Sequence, residues 1–178
     1  MIQDYNSHLE KRELQKRLLL LVKPKRVVTL AGPNILTYTK MYPAHVKHFE
    51  IWENDPETML HQLPILRKMS GKRMIYHFGD IAGAKINRSA FYDLDFCSYI
   101  PSVKSHVKRF KDCKFMLTVC LRDCSIENTI SIFLESVEER LISDIHHPHH
   151  NLMKTNKNQY LYVTYHDISS MITIFKFH

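Results

Sequence analysis

The sequence predicts a single α/β domain in which a mostly parallel, seven-stranded sheet lies between two layers of helices and ends in an antiparallel hairpin. Along most of the 178 residues, short apolar runs rich in β-branched side chains alternate with segments of helical spacing. This alternation is typical of a parallel sheet covered by helices. The last two apolar runs are joined by a tight turn, which favours a hairpin. A chain of this length buries one core, so we expect one domain over residues 1–178.

The N-terminal part of the chain predicts a helix, a strand and a turn. Leucines and charged residues recur at helical spacing over residues 6–22, and a Lys-Pro-Lys sequence then ends the helix. We expect residues 1–24 to pack on the sheet as an N-terminal helix. A β-branched run over residues 26–31 predicts the first strand. The Gly-Pro-Asn sequence that follows turns the chain into a short helix ending near Met41.

The next segment predicts a second strand followed by a helix. Residues 46–53 form a short apolar run that is closed by a turn-forming Asn-Asp-Pro sequence. The helix begins at Pro56, because proline is favoured in the first turn, and apolar residues continue at helical spacing to Met69. Pro64 lies inside this segment and predicts a kink.

The rest of the chain predicts five more strands and two more helices. Ser125 is a suitable N-cap for the longer helix. The histidine-rich residues 146–150 are crowded around a proline, whereas tetrahedral zinc sites draw their ligands from separated segments, so we expect a solvated loop there. The predicted strands span residues 72–81, 88–100, 113–123, 159–167 and 170–178, and the predicted helices span residues 102–111 and 125–145.

The composition constrains the partners and the compartment. The net charge of +7 favours a polyanionic partner such as nucleic acid, although a diffuse basic surface explains it equally well. The four cysteines form no CxxC pair, which indicates reduced thiols inside the cell. The N-terminal apolar run is too short for a membrane span or a signal peptide, so we expect a cytoplasmic protein with no membrane partner.

Polar or glycine residues follow four of the predicted strands. In an open α/β sheet, the ligand crevice lies beyond the carboxyl ends of the strands. A glycine there lets the backbone approach a ligand, and an acid about 20 residues later can accept the hydroxyl protons of a ribose. The candidate residues are Ala31, Gly32, Pro33 and Asn34 after the first strand; Glu53 and Asn54 after the second; Gly79, Asp80 and Ile81 after the third; and Asp93, Asp95 and Tyr99 at the fourth.

These strand ends resemble the motifs of the class I S-adenosylmethionine-dependent methyltransferase superfamily. The sequences "TLAGPN", "WENDPE", "FGDI" and "DLDF" look like its four elements, and the resemblance covers roughly residues 25–178. It implies a three-layer, Rossmann-like sandwich and S-adenosylmethionine as the cofactor, bound by the candidate residues of the first three strands. It also implies that Asp95 orients the acceptor atom or takes its proton, with Asp93 and Tyr99 beside it. No metal is implied.

Three functions follow from these residues. The first is methyl transfer from S-adenosylmethionine, with nucleic acid as the acceptor favoured by the basic charge. The second is a degenerate relative that binds the cofactor or a macromolecular partner without catalysis, because Leu30 lies where the family usually has an acid. The third is a metal-dependent hydrolase that uses Asp93 and Asp95, whose side chains lie on the same face of a strand.

Overall fold

The computed structural model describes residues 9–30, 42–67, 73–121, 124–147, 150–166 and 171–177. The chain divides into two compact units, Met1–Asp93 and Leu94–His178. The described residues form a mixed sheet of nine strands with four α-helices, and the predicted α/β, Rossmann-like class with a C-terminal antiparallel hairpin is confirmed. The assignment of the whole chain to a single domain stays a prediction. In the described part of the chain, no helix combines the length and the apolar character needed to cross a membrane.

The described residues of the first unit form a parallel sheet with two α-helices. Its strand order is β3-β2-β1-β4, and each pair of neighbouring strands is parallel. The register places Thr29 between Ile51 and Asp93, so the carboxyl ends of these strands lie at one edge. The elements are α1 (Leu9–Val22), β1 (Arg26–Thr29), β2 (His48–Glu53), α2 (Pro56–Leu66), β3 (Arg73–Phe78), a 3₁₀ turn (Ile81–Gly83) and β4 (Phe91–Tyr99), which continues into the second unit.

A capping carboxylate and a proline in the first turn define the start of helix α2. The carboxylate of Asp55 accepts a 2.8 Å hydrogen bond from the backbone N–H of Thr58, and Pro56 occupies the first turn as predicted. Pro64 lies inside the helix, where it leaves the carbonyl of residue 60 without its usual donor. The helix ends at Leu66, three residues before the predicted end at Met69, which lies outside the described residues.

The second unit contains the rest of β4 and all of the antiparallel pairings that the structure shows. Its strand order is β4-β5-β9-β8-β7-β6, with Thr118 of β5 opposite Thr173 of β9. The core is formed by aromatic side chains that include Phe115 and Phe133, whose ring centroids lie 5.8 Å apart. The elements are α3 (Ile100–Arg109), β5 (Lys114–Cys120), α4 (Ile126–Val137), β6 (Leu141–His147), β7 (His150–Thr155), β8 (Tyr160–His166) and β9 (Met171–Phe177).

Two sequence predictions for residues 138–155 were wrong. The helix predicted to residue 145 ends at Val137, because Glu138 adopts the left-handed conformation (φ 57°, ψ 45°), which an α-helix does not continue through. The chain then forms β6 and β7 in place of the predicted helix end and solvated loop. This hairpin explains why the described residues form nine strands where seven were predicted.

Candidate functional site

The candidate site is the carboxyl edge of the parallel sheet in the first unit. Strands β2 and β3 end side by side, and the backbone N–H of Gly79 donates a 2.8 Å hydrogen bond to the carbonyl of Glu53. The structure thus brings together the ends of two strands that the sequence analysis singled out. The predicted residues of the first loop, Ala31, Gly32, Pro33 and Asn34, lie outside the described residues.

Glu53 is half-buried and turns its carboxylate towards the start of helix α2. Its Oε1 accepts a 2.9 Å hydrogen bond from the backbone N–H of Asp55, and its Oε2 lies 3.5 Å from Nε2 of Gln62. Burial raises the pKa of the Glu53 carboxyl above its ordinary value, while hydrogen bonds from the backbone of Asp55 and Asn54 partly oppose this shift. A partly desolvated carboxylate of this kind is an acceptor for hydroxyl groups. Asn54 itself is exposed.

Gln62 and Tyr76 support Glu53, and the sequence analysis missed both. The side chain of Gln62 is fully buried, and its Oε1 accepts a 2.7 Å hydrogen bond from the hydroxyl of Tyr76. Burial, together with the negative charge of Glu53, raises the pKa of Tyr76 to about 12. The available signal was a glutamine on the apolar stripe of a predicted helix, between Met59 and Leu66.

The chain after β3 presents backbone rather than side chains at this edge. Gly79 has φ of +147°, a conformation that other residues rarely adopt, and none of the described residues has an atom within 4 Å of the position that a Cβ would take. Asp80 caps the 3₁₀ turn, since its Oδ1 accepts a 2.7 Å hydrogen bond from the backbone N–H of Ala82. Ile81 is buried. The described side chains therefore leave the main chain at Gly79 uncovered on the side of the Cβ position.

The opposite face of strands β2 and β3 has an aromatic pair that the sequence analysis also missed. The rings of Trp52 and His77 stack with centroids 4.2 Å apart and an interplanar angle of 15°. Both contact Oε1 of Glu50, with Nε1 of Trp52 at 3.2 Å and Nε2 of His77 at 3.4 Å. Gly83 lies against the Trp52 ring, at 3.5 Å from its would-be Cβ. These contacts fix the side chains on this opposite face of strands β2 and β3.

Asp93, a predicted catalytic residue, is buried in the first unit with an exposed fraction of 1%. Its Oδ2 accepts hydrogen bonds from the hydroxyl of Tyr42 and from Nε2 of Gln15, and the same Nε2 lies 3.0 Å from the Tyr42 oxygen. The backbone carbonyl of Asp93 also accepts a 3.3 Å hydrogen bond from the N–H of Leu30. These four residues form what we call the Asp93 network. A catalytic role for Asp93 stays a prediction.

The other two predicted catalytic residues lie in the second unit. Asp95 is half-buried in β4, and Tyr99 is the N-cap residue of helix α3, with its carbonyl accepting a 2.8 Å hydrogen bond from Oγ of Ser102. The hydroxyls of Ser98 and Ser102 lie 2.6 Å apart. Among the described residues, no three His, Cys, Asp or Glu side chains are grouped so that they could hold a metal ion.

Helix α3 is basic, but part of its charge is paired. Nζ of Lys104 lies 2.8 Å from Oε1 of Glu135, and Nζ of Lys111, which follows the helix, lies 2.7 Å from Oε2 of Glu138. The first contact joins α3 to α4, and the second joins the residues that follow these two helices. Lys108 and Arg109 are exposed in the last turn. The cationic surface offered by this helix is therefore smaller than the sequence indicates.

Comparison with known proteins shows the fold of this chain. No family model matches the sequence, and no curated protein is similar to it. The solved structures are similar at low identity. The N-methyltransferase NodS from Bradyrhizobium japonicum is 10% identical, covers 94% of each chain and has a TM-score of 0.58. TYW2 from M. jannaschii, solved in complex with AdoMet, is 12% identical over 100% of this chain and 78% of its own, with a TM-score of 0.55.

A third similar structure is a fibrillarin/Nop5p complex. It is 11% identical, covers 92% of this chain and 80% of its own, and has a TM-score of 0.55. The chain therefore has the fold of the class I S-adenosylmethionine-dependent methyltransferases, as the four sequence motifs predicted.

Proposed function

We propose that this protein is an S-adenosylmethionine-dependent methyltransferase. The observation that carries the proposal is the 2.8 Å hydrogen bond from Gly79 to the carbonyl of Glu53. It places an acid and a glycine, the residue types that the class I fold uses for a nucleoside, at adjacent strand ends. TYW2 from M. jannaschii, which shares this fold, was solved with AdoMet bound, and this supports the same cofactor here.

We propose that described residues of the first unit contact the adenosine of the cofactor. The carboxylate of Glu53 would accept from the ribose hydroxyls, and the open space beside Gly79 would admit the nucleoside next to the main chain. Asp80 would accept from the adenine amine, with Asn54 and Ile81 completing the contacts. Ala31, Gly32, Pro33 and Asn34 remain proposed contacts of the first loop. The bound cofactor would supply an electrophilic methyl group on a sulfonium, and the protein would position the acceptor for displacement.

Nucleic acid is the acceptor that the charge of the chain favours. The net charge is +7, and the exposed side chains of Lys108 and Arg109 would contact phosphates. We further propose that Asp95 and Tyr99 act on the acceptor side. A protein partner is the other option, and the fibrillarin/Nop5p complex is an example of a protein–protein assembly with this fold. Phosphate contacts predict that acceptor binding weakens steeply as salt is raised.

Titration calorimetry and methyl transfer together test the function. Purified protein is titrated with S-adenosylmethionine and S-adenosylhomocysteine, and is then incubated with labelled cofactor and pooled RNA or DNA. We expect heat with both ligands and label in the nucleic acid. Glu53→Ala should weaken binding at least tenfold, whereas the control Glu57→Ala, an exposed acid in the first turn of α2, should bind as the wild type does. No heat at high micromolar protein would exclude this function.

A degenerate protein that binds the cofactor or a partner without methyl transfer is the alternative. Two observations favour it: Leu30 lies at the end of β1 where the family usually has an acid, and Oε1 of Glu53 already accepts from Asp55. Heat with both ligands, together with no label in RNA, DNA or protein fractions of a cell extract, would select this alternative.

We also propose a cytoplasmic location. In the part of the chain that the structure describes, Cys113, Cys120 and Cys124 are not in disulfides, which suits a reducing compartment. Fractionation of cells that express the tagged protein tests this, and recovery from the membrane or secreted fraction would contradict it.

A further inference from the structure

We infer that Asp93 is a positioning residue whose side chain holds Tyr42, the residue after the segment 31–41, against strand β4, rather than a catalytic acid or base. This inference rests on the proposed function, because the segment begins with the four proposed contacts of the first loop. The residue on each side of the segment is bonded to Asp93. The N–H of Leu30 donates to its backbone carbonyl, and the hydroxyl of Tyr42 donates to its side chain.

The donors and acceptors of the Asp93 network match one another. Gln15 has two N–H donors on Nε2, and the structure places Nε2 against the Tyr42 oxygen and against Oδ2 of Asp93. The Tyr42 hydroxyl accepts the first and donates its own proton to the same carboxylate oxygen. A ring of three hydrogen bonds therefore joins helix α1, the residue after the segment 31–41 and strand β4, and each proton has a defined acceptor.

Burial separates this network from solvent. The exposed fractions of Gln15, Tyr42 and Asp93 are 3%, 4% and 1%. The Tyr42 ring is held independently of its hydroxyl, since it packs edge-on against Phe49 with centroids 5.1 Å apart. A carboxylate oxygen that accepts two buried hydrogen bonds has a structural task already, because removing either donor would leave buried polar groups unsatisfied. A base that acts on an acceptor would need to give up these bonds.

The two roles predict different effects of conservative substitutions. In Asp93→Asn the amide oxygen can take the place of Oδ2 and accept from Tyr42 and Gln15, whereas it cannot take a proton from an acceptor. Positioning therefore predicts that Asp93→Asn retains at least half of the wild-type kcat, and that Asp93→Leu and Tyr42→Phe raise the Kd for S-adenosylmethionine about tenfold. A catalytic role predicts loss of kcat in Asp93→Asn with an unchanged Kd.

The matched control is Tyr92→Phe. Tyr92 is a buried tyrosine of the same unit on the opposite face of β4, and its oxygen accepts a 2.8 Å hydrogen bond from the backbone N–H of Asn87. Its substitution removes one buried hydroxyl, as Tyr42→Phe does, but leaves the Asp93 network intact. We expect Tyr92→Phe to lower stability without changing the Kd.

The experiment has one arm that needs no cofactor. Hydrogen exchange is followed by mass spectrometry in peptides that contain Tyr42. Tyr42→Phe and Asp93→Leu should speed exchange in these peptides at least tenfold, whereas Asp93→Asn and Tyr92→Phe should leave it near the wild-type rate. Unchanged exchange in Tyr42→Phe, or faster exchange with an unchanged Kd, would overturn the inference. A wild type that binds no S-adenosylmethionine would refute the proposed function, while the exchange arm would still decide whether Asp93 holds Tyr42.

Discussion

The hydroxyl of Tyr76 donates a 2.7 Å hydrogen bond to Oε1 of the buried Gln62, and this bond joins the edge strand β3 to helix α2. On its other side, Nε2 of Gln62 lies 3.5 Å from the carboxylate of Glu53. The amide thus lies between a neutral hydroxyl and an acid. This arrangement orients Gln62, and it links the pKa of Tyr76 to the charge of the residue proposed to bind the ribose.

Removal of the Tyr76 hydroxyl should make the free energy of unfolding less sensitive to alkaline pH. The unfolded tyrosine ionises near its ordinary value of 10.0 and the folded one near about 12, so its contribution to stability is complete below pH 10.0 and is lost as the pH rises through about 12. Tyr76→Phe should cost about 1 kcal/mol at neutral pH, the typical value of one hydrogen bond. Its free energy of unfolding should also fall less steeply over that range. Urea titrations at several pH values test this, and parallel curves for the two proteins would contradict it.

Substitution of Glu53 by glutamine should stabilise the fold at neutral pH while weakening cofactor binding. Burial raises the pKa of Glu53 above its ordinary value of 4.5, so its contribution to stability is complete below 4.5 and is lost as the pH rises through the folded value. Glutamine does not ionise, so Glu53→Gln does not lose this contribution. The variant should therefore become more stable than the wild type as the pH rises from 4.5 through the folded value of Glu53. Urea titrations at acid and neutral pH provide the comparison.

Asp55→Asn is the control for that experiment, because folding lowers the pKa of Asp55, whereas it raises the pKa of Glu53. Hydrogen bonds from Thr58 lower the pKa of Asp55 below its ordinary value of 3.8, so its stabilisation is present above 3.8 and is lost as the pH falls through the lowered value. Asp55→Asn should therefore be destabilised at neutral pH. If Glu53→Gln and Asp55→Asn change the free energy of unfolding in the same direction, the inference that burial destabilises the Glu53 carboxylate is wrong.

Asp95→Ala should abolish methyl transfer and leave the affinity for S-adenosylmethionine unchanged. This follows if Asp95 orients the acceptor or takes its proton, since general bases contribute about 10²–10⁴-fold to rates. Asp112→Ala, at an exposed position after helix α3, is the control and should be fully active. Single-turnover transfer and calorimetry separate the two quantities. Transfer by Asp95→Ala at the wild-type rate would remove Asp95 from the site.

Substituting one partner of the buried ion pair of the second unit should lower the free energy of unfolding far more than substituting both partners. Nζ of Lys176 lies 3.1 Å from Oε1 of Glu139, with side chains that are 3% and 1% exposed, and Lys176 also donates to the carbonyl of Lys111. Lys176→Met should lower the free energy of unfolding by about 3–5 kcal/mol, because it leaves a buried, unpaired carboxylate. The double variant with Glu139→Leu should regain most of this loss in urea titrations. Equal losses in the two would contradict the reason given.

The sequence predicted the ends of strands β2 and β3 because the signals there are local. A turn-forming sequence follows Glu53, and a glycine follows Phe78, so the acid and the glycine could be assigned to strand ends without any tertiary information. The partners of Asp93 could not be found in this way. Gln15 lies 78 positions away and Tyr42 lies 51 positions away, and no periodicity connects them. Only the folded chain brings these donors together.

The hairpin of β6 and β7 was missed for a different reason. The helical spacing of α4 continues beyond Val137 in the sequence, and the residue that ends the helix is Glu138, which is not a typical left-handed cap. Its conformation is accompanied by a local capping bond, in which the N–H of the next residue, Glu139, donates to the carbonyl of Leu134, and by an ion pair between its carboxylate and Lys111. A glycine at this position would have marked the end of the helix and the start of the hairpin.

Because Gly79 has a φ of +147°, the backbone conformation rather than the size of the side chain favours glycine at this position. Among the described residues, no atom lies within 4 Å of the Cβ position, so a methyl group would meet none of them, yet any L-amino acid must strain the backbone there. Alanine should therefore fail in a saturation library at position 79 although its methyl group would meet none of the described atoms, and glycine should be recovered.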